Sequence, residues 1–168
     1  MASKRHNQAI AEAVEEVPLA GGLLGDEHLT VLLVGIGLRL NRGAAEYYRA
    51  KWDLSMIEWR VLLVLHRTTS LNVGELSNAA DLDKAAVSRG LALLEERKLV
   101  QIEQTRTRGR AAIAQLTAEG SKLCAKLLRV SQDRHERLFT EFSKTERDVL
   151  GKLLRRFART LDHADWNR

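Results

Sequence analysis

The stretch LNVGELSNAADLDKAAVSRGLALLEERKLVQIEQTRTRGRAAIAQL, Leu71–Leu116, decides how this chain is read. It opens on Asn72, whose side chain can cap the amides of the next turn while Glu75 reaches back. This Asn-x-x-Glu capping box leads into Val73 and Leu76 and starts a helix that stops after Ala80. Asp83, favoured at a helix start by capping and by the helix dipole, begins a second helix that runs to Arg97. Val87, Leu91 and Leu94 recur at helical spacing and face inward, which leaves Lys84, Ala85, Ser88 and Arg89 pointing outward near the amino end. Val100–Glu103 and Ala112–Leu116 then alternate apolar and polar residues as half-buried strands do, around the turn Thr105-Arg106-Thr107-Arg108-Gly109-Arg110.

Helix, turn, helix and hairpin in this order read as a winged helix-turn-helix, whose second helix enters a DNA major groove. The outward residues suit that task. Ala85 and Ser88 are short enough to let the backbone approach, Ser88 can bond a base edge or a phosphate, and Arg89 can fork onto a guanine beside Lys84. A small, basic helix face is equally an ordinary solvated one. The hairpin separates the two readings. From Lys84 to Arg110, seven basic residues stand against three glutamates, and this net charge of +4 is most of the whole chain's +5. The excess is focused where Arg106, Arg108 and Arg110 of a wing would meet phosphates or a minor groove.

The sequence resembles the MarR-type bacterial transcriptional regulators from about His28 to Leu161. The resemblance is carried by Leu54-Ser55-x-x-Glu58-Trp59-x-Val61-Leu62, Asp83-Lys84-x-x-Val87-Ser88-Arg89, Leu93-x-Glu95-x-x-x-Leu99-Val100, and Arg110 with Leu116-Thr117-x-x-Gly120. It implies a dimeric DNA-binding regulator, commonly released from DNA by a small, often aromatic and anionic compound. In that family an Asp stands two residues before the Arg matched by Arg110. Here the position is Arg108, which makes the wing more basic than the family pattern.

Working outward, Asp26 to about Lys51 forms one long helix, capped by Asp26. Leu29, Leu32, Leu33, Ile36, Leu40, Ala44 and Tyr47 give it a wide apolar stripe that a small lobe cannot cover. Ser55-x-x-Glu58 is a capping box with Leu54 and Trp59 placed as a hydrophobic staple, and its helix, apolar on nearly all sides, runs to about His66. Beyond the wing, Thr117 caps a helix to about Phe142. Ser143-x-x-Glu146 opens a last helix carrying Val149, Leu150, Leu153, Leu154, Phe157 and Leu161. Its polar face holds Arg147, Arg155, Arg156 and Arg159 beside acidic residues, the pattern of solvated i, i+4 pairing.

The expected fold is mainly α with a small β-hairpin wing: a winged helix-turn-helix flanked by a helical dimerisation body. The expected parts are an N-terminal extension (1–25), a dimerisation helix (26–53), the DNA-binding lobe (54–116) and C-terminal dimerisation helices (117–168). Residues 7–17 of the extension read either as a short amphipathic helix on a dimer partner or as a loose tail, ended by Pro18. A homodimer would set two recognition helices about one DNA turn apart, facing a pseudo-palindromic operator in double-stranded DNA. A repressor is the favoured function, and a weakly specific, DNA-coating or architectural protein is the alternative.

Candidate lining for an effector site is Arg39, Tyr47, Tyr48, Trp52, Trp59, Arg60 and His66, aromatic walls with groups that could take a carboxylate. The same aromatics also suit core and staple positions. Cys124 offers a rival, thiol-based trigger, although a lone cysteine on a helix is more often inert. It also excludes a disulfide framework within the chain, which fits a reducing compartment. His6, His28, His66, His135 and His163 show no metal-binding or catalytic spacing, and no phosphate-binding glycine loop or nucleophile elbow occurs. No enzyme activity, metal or cofactor is expected. With no apolar run of membrane-spanning length and no signal-peptide core, the expected location is the cytoplasm.

Overall fold

The structure is a computed structural model that describes residues 28–103 and 112–162. The expectations for the 1–25 extension, for a cap at Asp26 and for Arg106, Arg108 and Arg110 of the wing tip lie outside these residues. The described chain is mainly helical with one small sheet, and it separates into two compact units, Met1–Met56 and Ile57–Arg168.

The first unit holds the long helix α1, Leu29–Trp52. His28 occupies the position before it and makes no side-chain cap bond. It ends where Asp53 turns left-handed, at φ 49°, its N–H donating to the Arg49 carbonyl and the Leu54 N–H to that of Tyr48. Arg49 and Lys51 in the last turn suit the negative end of the helix dipole. The expected stripe is only part of the apolar surface. Val31, Val34 and Leu38 are exposed along with Leu29, Ile36 and Leu40, so the amino-terminal half is apolar around much of its circumference.

Helix α2, Met56–Thr68, leads into the second unit and buries Trp59, Val61, Leu62 and Leu65 together with Glu58. Thr69, at φ 78°, breaks it. A short strand not foreseen from the sequence follows, β1, Ser70–Asn72. Asn72 is both the last residue of β1 and the cap of α3, Val73–Ala80. Its Oδ1 accepts the Glu75 N–H at 3.0 Å while its own N–H donates to Glu75 Oε2 at 2.9 Å, the expected capping box. Asp83 caps α4, Lys84–Glu96, by accepting the Ala86 N–H at 2.8 Å.

Strands β2, Val100–Glu103, and β3, Ile113–Leu116, pair antiparallel, with Gln101 opposite Gln115 and Ile102 opposite Ala114. On the other side of β3 lies β1, Leu71 opposite Ala114, so the sheet order is β1-β3-β2 and not a bare hairpin. The core of this unit gathers Leu62 and Leu65 of α2, Leu76 of α3, Val87 and Leu94 of α4, Val100 of β2 and Ala114 of β3. Each large member contributes roughly 1.5–3 kcal/mol by leaving water.

Thr117 caps α5, Ala118–Leu138, which places Cys124 and Leu127 in the core. This helix stops at Leu138 and does not reach the expected Phe142. The reason lies in the next helix. The Arg147 guanidinium donates to the carbonyl of Phe139 and, at 3.0 Å, to that of Phe142, satisfying backbone acceptors that a longer helix would have used. Helix α6, Lys144–Leu161, starts at the expected Ser143–Glu146 capping box. Its arginines depart from the i, i+4 expectation. Arg147 pairs with Glu136 of α5, and Arg155, Arg156 and Arg159 form no ion pair with a described residue. No residue of α6 is buried, and Leu153, Leu154, Phe157 and Leu161 are exposed.

Candidate nucleic-acid interface

Helix α4 has two chemically distinct faces. Ala86, Val87, Gly90, Leu91 and Leu94 are buried, whereas Lys84, Ala85, Ser88 and Arg89 are all exposed, as the periodicity requires. Gly90 allows the helix to seat closely, since a Cβ there would lie 2.9 Å from Ile57 Cγ2 at the start of α2. Lys84 is not isolated. Its Cε lies 4.0 Å from where a Cβ on Gly74 would stand, so its stem passes the first turn of α3. Thus the first residue of α4 lies beside the start of α3. Leu93 is half exposed further along α4, a position the apolar pattern had not singled out.

The carboxyl end of α4 is held by long-range contacts that no local motif announces. Glu58 of α2 is only 3% exposed, and its Oε1 lies 3.5 Å from Nη1 of Arg97, the residue that closes α4. Lys98 then takes a left-handed φ of 57°, and its carbonyl accepts the Thr117 hydroxyl at 2.7 Å. Next to it, Leu99 O accepts the Thr117 N–H at 3.1 Å. At the end of β2, Glu103 accepts from the Gln115 side chain at 2.9 Å and ties the base of the wing.

The seven candidate effector residues divide between the two units. In the first, Tyr47, Tyr48 and Trp52 form an aromatic group, with ring centroids 5.7, 5.7 and 6.0 Å apart. Tyr48 is buried at 3% exposure, Tyr47 and Trp52 are half-buried, and Arg39 is exposed two turns earlier on α1. In the second, Trp59 is buried at 6% exposure while Arg60 and His66 are exposed on α2. Cys124 is fully buried, its thiol 3.6 Å from Leu62 O, and desolvation raises its pKa from 9.0 to about 11. That environment opposes the thiolate on which oxidation depends. Among the described residues no His, Cys, Asp and Glu group could hold a metal, and no helix is long and apolar enough to cross a membrane.

A helix pair with an exposed, basic recognition face, backed by a three-stranded sheet in which β2 pairs with the central β3 as the base of a wing, defines the class of winged-helix DNA-binding proteins. Comparison narrows it. The MarR family model matches residues 52–111. A MarR/EmrR family transcriptional regulator from Acinetobacter sp. ADP1 is 30% identical, with a TM-score of 0.73 over 82% of this chain and 96% of that one. The chain therefore belongs to the MarR family, a family of transcriptional regulators and not of enzymes. Two further solved structures share the fold. A cysteine-to-serine variant of E. coli MarR in complex with operator DNA is 23% identical, with a TM-score of 0.67 over 77% of this chain and 92% of that one. BpsR of Bordetella bronchiseptica, whose DNA binding is regulated by 6-hydroxynicotinic acid, is 21% identical, with a TM-score of 0.64 over 75% of this chain and 98% of that one. A search of curated proteins gave no match.

Proposed function

We propose that this chain is a homodimeric, sequence-specific DNA-binding repressor, with two winged lobes on a pseudo-palindromic operator and a small aromatic anion as its releasing ligand. The outward face of α4 carries the reading. Lys84, Ala85, Ser88 and Arg89 are exposed together over a sealed inner face, on the helix that this fold class presents to the major groove. Arg89 forks onto a guanine, Ala85 and Ser88 let the helix approach, and Lys84 with Arg106, Arg108 and Arg110 of the wing takes phosphates.

Uncovered apolar surface supports the dimer. Leu38 of α1, Leu138 of α5 and Leu153 of α6 are 60%, 56% and 56% exposed, and a second copy related by a two-fold axis is the economical cover for such surfaces. Tyr47 and Trp52, half-buried beside Tyr48 on α1, supply aromatic surface for the effector, and Arg39 of the same helix a group for its carboxylate. The operator complex of E. coli MarR and the response of BpsR to an aromatic acid provide precedents within the fold.

The test is selection of duplexes from a random pool, followed by competition with scrambled DNA at fixed salt. A two-fold symmetric consensus that scrambled DNA cannot displace is expected. Equal competition would make the chain an architectural DNA binder instead. Aromatic acids are then screened by thermal shift, since a ligand of the folded state raises Tm by mass action. A hit that also dissociates the selected duplex is the expected effector, and hits without that effect would count against release by aromatic anions.

A further inference from the structure

The carboxyl end of α4 is the best-anchored point of the recognition helix, and its anchors come from elements on either side of it. Arg97 is held by the buried Glu58 carboxylate of α2 at 3.5 Å. Lys98 and Leu99 are held by α5, through the Thr117 hydroxyl at 2.7 Å and the Thr117 N–H at 3.1 Å. The approach of α5 is so close that a Cβ on Gly120 would fall 1.9 Å from Leu99 O and 2.9 Å from Leu99 C. Thr117 also accepts the Gly120 N–H at 3.0 Å, so one hydroxyl both starts α5 and fastens it to the end of α4.

The geometry points to Thr117, seconded by Gly120 and Glu58, as a positioning residue that sets the angle at which α4 meets DNA. This rests on the reading of α4 as the recognition helix. The residues that would read bases, Ala85, Ser88 and Arg89, lie in the first half of the 13-residue helix, while the fastening lies just past its end. A helix of that length spans about 20 Å, so a tilt of about 5° at the fastened end displaces the reading end by nearly 2 Å. Hydrogen bonds to base edges do not survive such a displacement, whereas phosphate attraction hardly changes. The fastening therefore governs discrimination between sequences more than total affinity. Because its α5 side is the start of a 21-residue helix, any reorientation of α5 is delivered to α4 at Thr117.

The experiment compares wild type, Thr117→Val, Thr117→Ser and Ser143→Ala by fluorescence anisotropy. The probes are the duplex selected by the wild-type chain and a scrambled duplex of equal length, at one salt concentration, with Tm recorded for each variant. Thr117→Val keeps the shape and removes the hydroxyl, Thr117→Ser keeps the hydroxyl, and Ser143→Ala removes a comparable helix cap from α6. Thr117→Val should lose roughly fivefold in affinity for the selected duplex, the size of a moderate coupling, with scrambled binding unchanged. Thr117→Ser should restore the ratio, and Ser143→Ala should lower Tm without moving it. An unchanged ratio in Thr117→Val, or an equal fall in Ser143→Ala, overturns the positioning role. A wild type with no preference for its selected duplex overturns the repressor reading, and the positioning role with it. Should Thr117→Val fail to fold, Glu58→Gln takes its place, with the same fall in the ratio expected and an unchanged ratio overturning the role.

Discussion

The Arg147 guanidinium and the Glu136 carboxylate, eleven residues apart, meet at 2.8 Å across the turn between α5 and α6. Arg147 also donates to the carbonyls of Phe139 and Phe142, with its guanidinium carbon 6.0 Å from the centre of the Phe139 ring. Arg147→Ala should therefore destabilise the protein by about 1 kcal/mol, the net worth of a typical lost carbonyl hydrogen bond. Glu136→Gln should cost less, because an exposed ion pair is well screened. Urea titration distinguishes them, and equal losses would mean that the ion pair, not the carbonyl capping, holds the turn.

The same region makes stability depend on acid. The Arg147 hydrogen bond holds the Glu136 carboxyl below its ordinary 4.5, and the Ser143 hydroxyl does the same for Glu146. A carboxyl whose pKa is lower in the folded state adds stability that is complete above the unfolded value and disappears as pH falls through the folded one. Tm should decline as pH drops below 4.5, and less steeply in Glu146→Gln. Parallel profiles for variant and wild type would remove Glu146 from the acid response.

Cys124 should be silent until the chain unfolds. With the thiol buried and its pKa raised to about 11, a disulfide reagent at pH 8 should label the native protein slowly and the urea-unfolded protein at once. The raised value also has a sign in stability. It is fully favourable below the unfolded thiol's pKa and is lost as pH rises toward 11. Rapid labelling of the native chain would reopen a thiol trigger.

Two glycines should respond differently to the same change. Gly120→Ala drives a methyl into Leu99 O and should cost about 3 kcal/mol or more, a severe overpacking. Gly74→Ala meets Asn72 Oδ1 at 3.2 Å and the flexible Lys84 stem at 4.0 Å and gains helix propensity, which should leave it within about 1 kcal/mol of wild type. Denaturant midpoints check both.

Arg89 and Lys84 should also separate by the kind of loss. Arg89→Ala should cost about 1–3 kcal/mol on the selected operator and relax the preference at one base pair. Lys84→Ala should weaken all sequences alike and lower the salt slope by about 1. Anisotropy across a salt series with single-base operator variants reads both, and a uniform loss in Arg89→Ala would assign that side chain to phosphate.

The two faces of α4 were legible in the sequence because the cap at Asp83, the 3.6-residue period of Val87, Leu91 and Leu94 and the outward Lys84, Ala85, Ser88 and Arg89 are all local signals. Strand β1 was not. It is three residues long and forms through backbone pairing with β3, more than forty residues later, so its side chains carry no alternation to read. The end of α5 was misplaced for a similar reason, since the group that stops it, Arg147, belongs to the next helix. Glu58 and Arg97, thirty-nine residues apart, likewise meet only once the chain has folded. Of the candidate effector residues, Tyr47, Tyr48 and Trp52 were named together and their rings do gather, and Trp59, also placed as a staple, is buried, whereas the exposure of Arg60 and His66 on the otherwise apolar α2 follows only from the fold.

Asn72 belongs to the sheet through its pairing with Ile113 and to α3 through its reciprocal bonds with Glu75. Sheet and helix pair therefore cannot melt separately without breaking that one residue out of both. The lobe should behave as a single foldon, with amides of β3 and of the first turn of α3 exchanging with deuterium at a common rate under native conditions. A pull on β3 is then felt at the first amide of α3, so that sheet and helix pair stay mechanically continuous.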